Sequence, residues 1–160
     1  MRNTRTRPKA VLLDCDGTLV NVSSVLHHVR TKPKNFELFH SEATYCPPHQ
    51  EALDYAEDHF HKGYKLIVVT ARMQSWHHPT LLWLQQHLKV PFDGPFMRAD
   101  GDFRQDVQVK REIYNYLTLS YDIRGAIDDS PQVIELWKSL GLSVVEMERV
   151  DWGGSSDELV

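Results

Sequence analysis

Four groups of residues carry side chains suited to phosphate chemistry: Asp14-Cys15-Asp16-Gly17-Thr18, Thr70-Ala71-Arg72, Lys110 and Asp128-Asp129. Asp14, Asp16 and Asp128 can gather carboxylate and carbonyl oxygens around one hard cation, and Mg2+ prefers such ligands. A cation there cancels phosphate charge and lets an anionic carboxylate approach phosphorus. Asp14 is then the candidate nucleophile, forming an aspartyl-phosphate. Asp16, two residues on, can protonate the leaving oxygen and later take a proton from the attacking water. Gly17 permits the sharp turn that brings both carboxylates to one mouth. The Thr70 hydroxyl and the Lys110 ammonium suit the phosphoryl oxygens, where charge must be stabilised. Asp129 is expected behind the metal, acting through water on it or by orienting Lys110.

These groups need a frame, and the sequence supplies one. The apolar runs Lys9–Leu13, Lys65–Val69, Gly125–Ile127 and Leu142–Val145 predict buried strands, with Pro95–Met97 as a short fifth. Continuous apolar runs suit parallel strands covered on both faces. Helices are predicted between them. Pro48–His61 turns Ala52, Leu53, Ala56 and Phe60 to one side and ends at Gly63. Pro79–Leu88 carries Leu81, Leu82, Leu84 and Leu88, and Val109–Leu117 carries Ile113, Tyr116 and Leu117. Ser130 is an expected N-cap with Pro131 at the first helical position, and Val133, Ile134, Trp137 and Leu140 follow on the core face up to Gly141. Strand–helix alternation implies an α/β fold, a Rossmann-like parallel sheet with helices on both faces. In such a sheet the site lies at the carboxyl ends of the strands, where the Asp14, Thr70 and Asp128 groups fall.

The four groups, in this order, resemble the haloacid dehalogenase superfamily of phosphatases: Asp14-x-Asp16-Gly17-Thr18, Thr70, Lys110 and Asp128-Asp129. The resemblance runs from Lys9 to Val145 and implies that the backbone carbonyl of Asp16 also ligates the metal. The stretch from Met97 through Gly101-Asp102-Phe103-Arg104 to Lys110 is similar to the 3′-phosphatase domain of bacteriophage polynucleotide kinase. Val69-Thr70-Ala71-Arg72 and Ile127-Asp128-Asp129-Ser130-Pro131-Gln132 are similar to it as well. This closer resemblance implies that Thr18, Thr70, Ala71, Arg72, Arg98 and Asp106 contact phosphate or substrate. Thr70-Ala71 stands where that family usually has Ser-Gly, which keeps the hydroxyl; Ala99 and Ser130 depart from its commoner polar residues. No Gly-x-x-x-x-Gly-Lys-Ser/Thr loop occurs in the sequence, so kinase activity is expected only from a separate protein.

Each residue also has a plainer reading. Thr70 and Asp129 could serve only as helix caps, Lys110 as surface charge, and Arg98 with Asp106 as a structural ion pair. The histidines His27-His28, His59, His61 and His77-His78 lack zinc-site spacing and read as surface or capping groups. Trp76, Trp83 and Trp137 read as packing, with Trp76 the one placed to stack on a base.

The whole chain sets bounds. Its 160 residues fit one domain, expected over 1–150. The polar stretch 21–47 reads as a minimal cap or flap, and the Gly/Ser-rich, acidic 151–160 as a flexible tail. The formal charge of −4 argues against a chain that is basic overall but allows a local basic groove. Cys15 between two aspartates suits reduced thiols and a cytoplasmic setting, and no apolar run is long enough for a membrane span. An open mouth with Arg30, Lys32, Lys34, Arg72, Arg98 and Arg104 nearby would admit a nucleic-acid 3′ end, DNA or RNA, for phosphate removal in end repair. The alternatives are a phosphatase of nucleotides or small metabolites, and an inactive phosphate-binding module.

Overall fold

In a computed structural model, residues 6–149 and Trp152 are described. Five parallel strands form one sheet in the order β3-β2-β1-β4-β5. They are β1 (Lys9–Leu13), β2 (Lys65–Met73), β3 (Asp93–Arg98), β4 (Asp122–Asp128) and β5 (Ser143–Glu146). The six α-helices of the described residues are α1 (His27–Arg30), α2 (Phe36–Ala43), α3 (Gln50–His61), α4 (His77–His87), α5 (Asp106–Leu117) and α6 (Pro131–Ser139), with a 3-10 turn at Gln74–Trp76 before α4. The expected Rossmann-like α/β architecture is present.

Side-chain alternation along the strands builds two cores. Val11 and Leu13 of β1, with Leu66 and Val68 of β2, face α1 to α4. Ala10, Leu12, Ile67 and Val69 face the other way and meet Leu117 of α5 and Val133, Leu136 and Trp137 of α6. Both faces of the central strands are thus dry, which is why their sequences are continuously apolar.

The structure corrects several expectations of detail. β2 runs on to Met73, so Thr70-Ala71-Arg72 are strand residues rather than a following loop. In α4 the buried positions are Thr80, Trp83 and Leu84, while Leu82 is 50% exposed. Tyr116 of α5 is 66% exposed and lies off the core face. Ser130 precedes α6, but its hydroxyl forms no cap. The carboxylate of Asp128 instead accepts the N–H groups of the turn before the helix, Asp129 at 2.9 Å and Ser130 at 3.0 Å.

The largest revision concerns 21–47, expected as a polar flap. Its apolar minority, among them Val22, Val25, Leu26, Val29, Phe39 and Ala43, is buried in the main core. Helix α2 starts where the Asn35 side chain accepts the Leu38 N–H at 3.0 Å. The end of the insert is tied down by the Trp83 indole, which donates to the Cys46 carbonyl at 2.9 Å. Of the expected tail only Trp152 is described, and it is buried against Phe39, with ring centroids 5.7 Å apart. The remainder of 151–160 lies outside the described residues. Both cysteines are buried free thiols. No helix of the described residues is long and apolar enough to cross a membrane.

Candidate active site

The carboxyl ends of β1 and β4 lie side by side: Leu13 pairs with Ile127, and the Asp14 N–H reaches the Ile127 carbonyl at 3.2 Å. This register places the Asp14 and Asp128 carboxylates together. Between them sits the ammonium of Lys110, in the second turn of α5. Its Nζ donates to Asp14 Oδ1 at 2.8 Å and to Asp128 Oδ2 at 2.9 Å, and the residue is only 3% exposed. Burial works against the Lys110 charge, but the two carboxylates outweigh it and hold its pKa above the ordinary value. Asp14 is pushed well above the usual carboxyl range, first by burial and then by the charge of Asp128, with Lys110 opposing. The Thr18 hydroxyl donates to Asp14 Oδ2 at 3.2 Å.

Asp129 stands beside this pair. Burial, helped by the Asp128 charge, raises its pKa to about 6. Its Oδ2 is buried without a hydrogen-bond partner, and so is the Ser130 hydroxyl. Gly17 makes this position possible. Its φ is +82°, and a Cβ there would lie 2.2 Å from Asp129 Oδ2. Any larger residue would drive that carboxylate away. Ligand oxygens of Asp14, Asp128 and Asp129 all lie within 4.8 Å of one another. An orphaned buried carboxylate oxygen inside a set of hard oxygen donors fits Mg2+, which prefers oxygen ligands.

Asp16 meets a different environment. Arg72 grips it with both arms of the guanidinium, Nε to Oδ2 at 2.9 Å and Nη2 to Oδ1 at 2.6 Å. Burial would raise the Asp16 pKa, but the charge and hydrogen bonds of Arg72 win and hold it below the usual range. Arg72 also donates to the Thr80 hydroxyl at 2.9 Å, which fixes the arm to α4. Thr70 is buried, and its hydroxyl accepts the Arg72 N–H at 3.2 Å.

Asp14, Asp16, Thr70, Ala71, Arg72, Asp106, Lys110 and Asp129 line one hollow of about 70 Å³. Three residues expected to contact substrate have protein partners in the structure. Thr18 is fully buried behind Asp14, and its hydroxyl helps orient that carboxylate. Arg72 is spent on Asp16 and Thr80. Arg98 is 2% exposed and turns inward: it donates to the carbonyls of Ala71, Asp102 and Arg104 and to Asp106 Oδ1 at 2.6 Å. The expected rim of cations is thinner for the same reason, since Arg104 pairs with Asp102 and Glu112. Buried cations in a polar loop are used to satisfy carbonyls and carboxylates before they can reach a ligand.

Five lining residues escaped the sequence reading: Phe36, Phe39, His40, Arg149 and Trp152. Arg149 follows β5, so extending the strand-end rule to the fifth strand would have found it. Its Nε lies 4.0 Å from Asp129 Oδ2, and its guanidinium covers the Trp152 ring at 5.1 Å. The other signal was the spacing Phe36, Phe39, His40, Ala43 after Asn35, a capped helical face inside the stretch read as a flap.

Comparison with known proteins agrees with this fold. The family model described as "Polynucleotide kinase PNKP phosphatase domain" matches residues 8–152. Among solved structures, a chain of the Pnkp1/Rnl/Hen1 RNA repair complex is 26% identical with a TM-score of 0.73, covering 88% of this chain and 42% of that one. A second Pnkp1/Rnl/Hen1 structure matches equally, covering 89% and 46%. The chain thus spans about half the length of these structural relatives. A class C acid phosphatase from Bacillus anthracis with tungstate bound shares the fold at 13% identity and TM-score 0.63, covering 79% and 54%. A haloacid dehalogenase-like hydrolase from Streptococcus pneumoniae does so at 16% and 0.60, covering 95% and 90%.

Proposed function

We infer the activity from one premise: this chain belongs to the PNKP phosphatase domain family, on the haloacid dehalogenase fold. The proposed reaction is hydrolysis of a phosphomonoester at a nucleic-acid 3′ end, DNA or RNA, with Mg2+ as cofactor. The observation that carries it is the Lys110 ammonium held between Asp14 and Asp128, beside an Asp129 oxygen that lacks a hydrogen-bond partner.

Asp14, Asp128 and Asp129 would hold the ion, joined by the Asp16 carbonyl that the family resemblance implies. Bound there, Mg2+ supplies positive charge against the phosphoryl oxygens. Lys110 and the Thr70 hydroxyl face the same oxygens. An Asp14 oxygen forms a bond to phosphorus as the bond from phosphorus to the leaving oxygen breaks. Asp16, after taking up a proton from solvent as the phosphate binds, gives that proton to the leaving oxygen. The Arg72 grip keeps Asp16 anionic while the hollow is empty. An arriving phosphate adds negative charge beside it and so favours the protonated form needed for the first step. In the second step Asp16 takes a proton from water as that water displaces Asp14 from phosphorus, releasing inorganic phosphate.

At ~10–15 Å³ per water, a hollow of about 70 Å³ holds a group of only a few heavy atoms. It suits a phosphoryl group, and the remainder of the substrate must lie outside it, as a strand end allows. A reduced, cytoplasmic setting fits the free thiols Cys15 and Cys46. The test is phosphate release from a 3′-phosphorylated oligonucleotide, its 5′-phosphorylated twin and a 3′-mononucleotide, with Mg2+ and with chelator. The 3′-phosphorylated strand should give the highest kcat/KM and lose all turnover in chelator. Equal or better hydrolysis of the mononucleotide would favour a small-nucleotide phosphatase, the reading that the tied-up Arg72, Arg98 and Arg104 support.

A further inference from the structure

A second hollow of about 190 Å³ opens beside the catalytic one, sharing Phe36, His40 and Ala71 with it. Its other lining residues are Met73, Trp76, Arg98 and Phe103. The walls are aromatic from three directions. Phe36 and His40 come from α2, Trp76 from the turn before α4, and Phe103 from the loop between β3 and α5. The His40 ring lies 5.3 Å from that of Trp76 and 6.2 Å from that of Phe36, all three tilted.

Phe103 is the telling residue. It is 72% exposed, which costs hydrophobic free energy with no gain from packing. Yet its loop is held firmly. Buried Arg98 donates to the carbonyls of Asp102 and Arg104, the two neighbours of Phe103. The Asp102 side chain accepts the Arg104 N–H at 3.1 Å and pairs with its guanidinium. The backbone on both sides is therefore fixed while the ring is presented outward. His40 Nδ1 gives an independent sign of a missing ligand. It is buried at the join of the two hollows and has no hydrogen-bond partner.

We propose that this hollow binds the nucleobase of the nucleotide bearing the 3′-phosphate, stacked against Phe103 and Trp76. The proposal rests on the phosphatase reading above and adds the part of the substrate that the catalytic hollow has no room for. Continuity between the two spaces gives the order: phosphoryl group on Lys110, sugar past His40 and Ala71, base among the rings. Stacking on ring faces suits every base, because each has a π-face. The site therefore favours a base over no base and discriminates weakly among the four. His40 lines both hollows, so its ring would flank the sugar where it passes from one to the other.

The experiment compares two 3′-phosphorylated oligonucleotides, one intact and one whose terminal nucleotide lacks its base. Wild-type protein should show KM about 10-fold lower for the intact strand, within the span of base–aromatic stacking, with similar kcat. Phe103→Ala, at an exposed position, should raise KM for the intact strand by about 10-fold and leave the abasic strand unchanged. Phe103→Trp should restore it, and Trp76→Ala should act in the same direction. Equal losses on both strands would mean that the ring only supports the loop, and no loss on either would mean that it binds nothing; both results overturn the proposal. Failure of wild type on every 3′-phosphorylated strand, with turnover of an alkyl phosphate intact, would instead overturn the phosphatase reading of the substrate.

Discussion

The floor of the pocket and its outer wall are built by opposite means. The floor is buried charge: Asp14, Asp128 and Lys110 neutralise one another in part, and Asp129 carries an oxygen with no hydrogen-bond partner. The wall is ring: Phe103 is 72% exposed, and half-buried Trp76 packs against His40. Charge kept out of water is costly unless it is matched, so the floor is rigid and tolerates almost no substitution. Rings need only area, so the wall can be changed residue by residue with modest effect. Chemistry is placed where the tolerance is smallest.

The sharpest way to break this contrast is to neutralise the floor. Asp14→Asn keeps the shape and removes the attacking charge, and kcat should fall at least ~10³-fold. Asp16→Asn should approach that loss, because the leaving oxygen then lacks its acid. A phosphate-release assay that gave Asp14→Asn near wild-type turnover would end the proposed mechanism. Floor variants should lower kcat on every substrate alike, whereas Phe103→Ala should act on KM and only when a base is present.

Arg98 joins the two regions, so its removal should harm both. Its guanidinium holds Asp106, at the head of α5 one turn before Lys110, and also the loop of Phe103. Arg98→Ala leaves several carbonyls and one carboxylate without a partner, and should cost about 3–5 kcal/mol of stability in denaturant unfolding. Arg98→Lys keeps the charge but not the fork, and should recover only part of that loss. A loss below about 1 kcal/mol for Arg98→Ala would show that the loop and Asp106 do not depend on it.

The two regions also differ in how plainly the sequence announces them. The floor stands on β1, β2 and β4, whose apolar runs end at Asp14, Thr70 and Asp128; short-range pattern was enough to place those residues at one sheet edge. Lys110 was legible by motif, and burial between two carboxylates then gave it its partners. The wall depends on packing between distant segments. Residues 21–47 look polar because most of their side chains face water, while the few that decide their position, such as Leu26, Val29 and Phe39, are scattered. Arg72 and Arg98 looked like free cations because nothing in the linear sequence tells that Asp16 and the 102–106 loop would claim them. Trp152 was hidden in the same way by its polar neighbours.

The smallest expected effect concerns how the floor answers to pH. Burial raises the carboxyl pKa of Asp14, Asp106 and Asp129, the last to about 6. Between the ordinary carboxyl value near 4 and about 6, the folded state therefore holds protons that the unfolded chain has released. The stability these groups contribute is full below pH ~4 and is lost as pH rises through about 6. Asp16, held low by Arg72, acts in the opposite sense, but only as pH falls below the ordinary value. In chelator, Tm should accordingly drop from pH 5 to pH 7. Mg2+ favours the ionised carboxylates, so adding it should raise stability, and Tm with it, little at pH 5 and more at pH 7, where the gain is roughly 1–3 kcal/mol at saturating ion. Asp129→Asn should abolish most of that increment, while Phe103→Ala should leave it whole. A Tm in chelator that climbs steadily from pH 5 to pH 7, with no response to Mg2+, would mean that the floor is a structural charge cluster and the wall stands beside no metal.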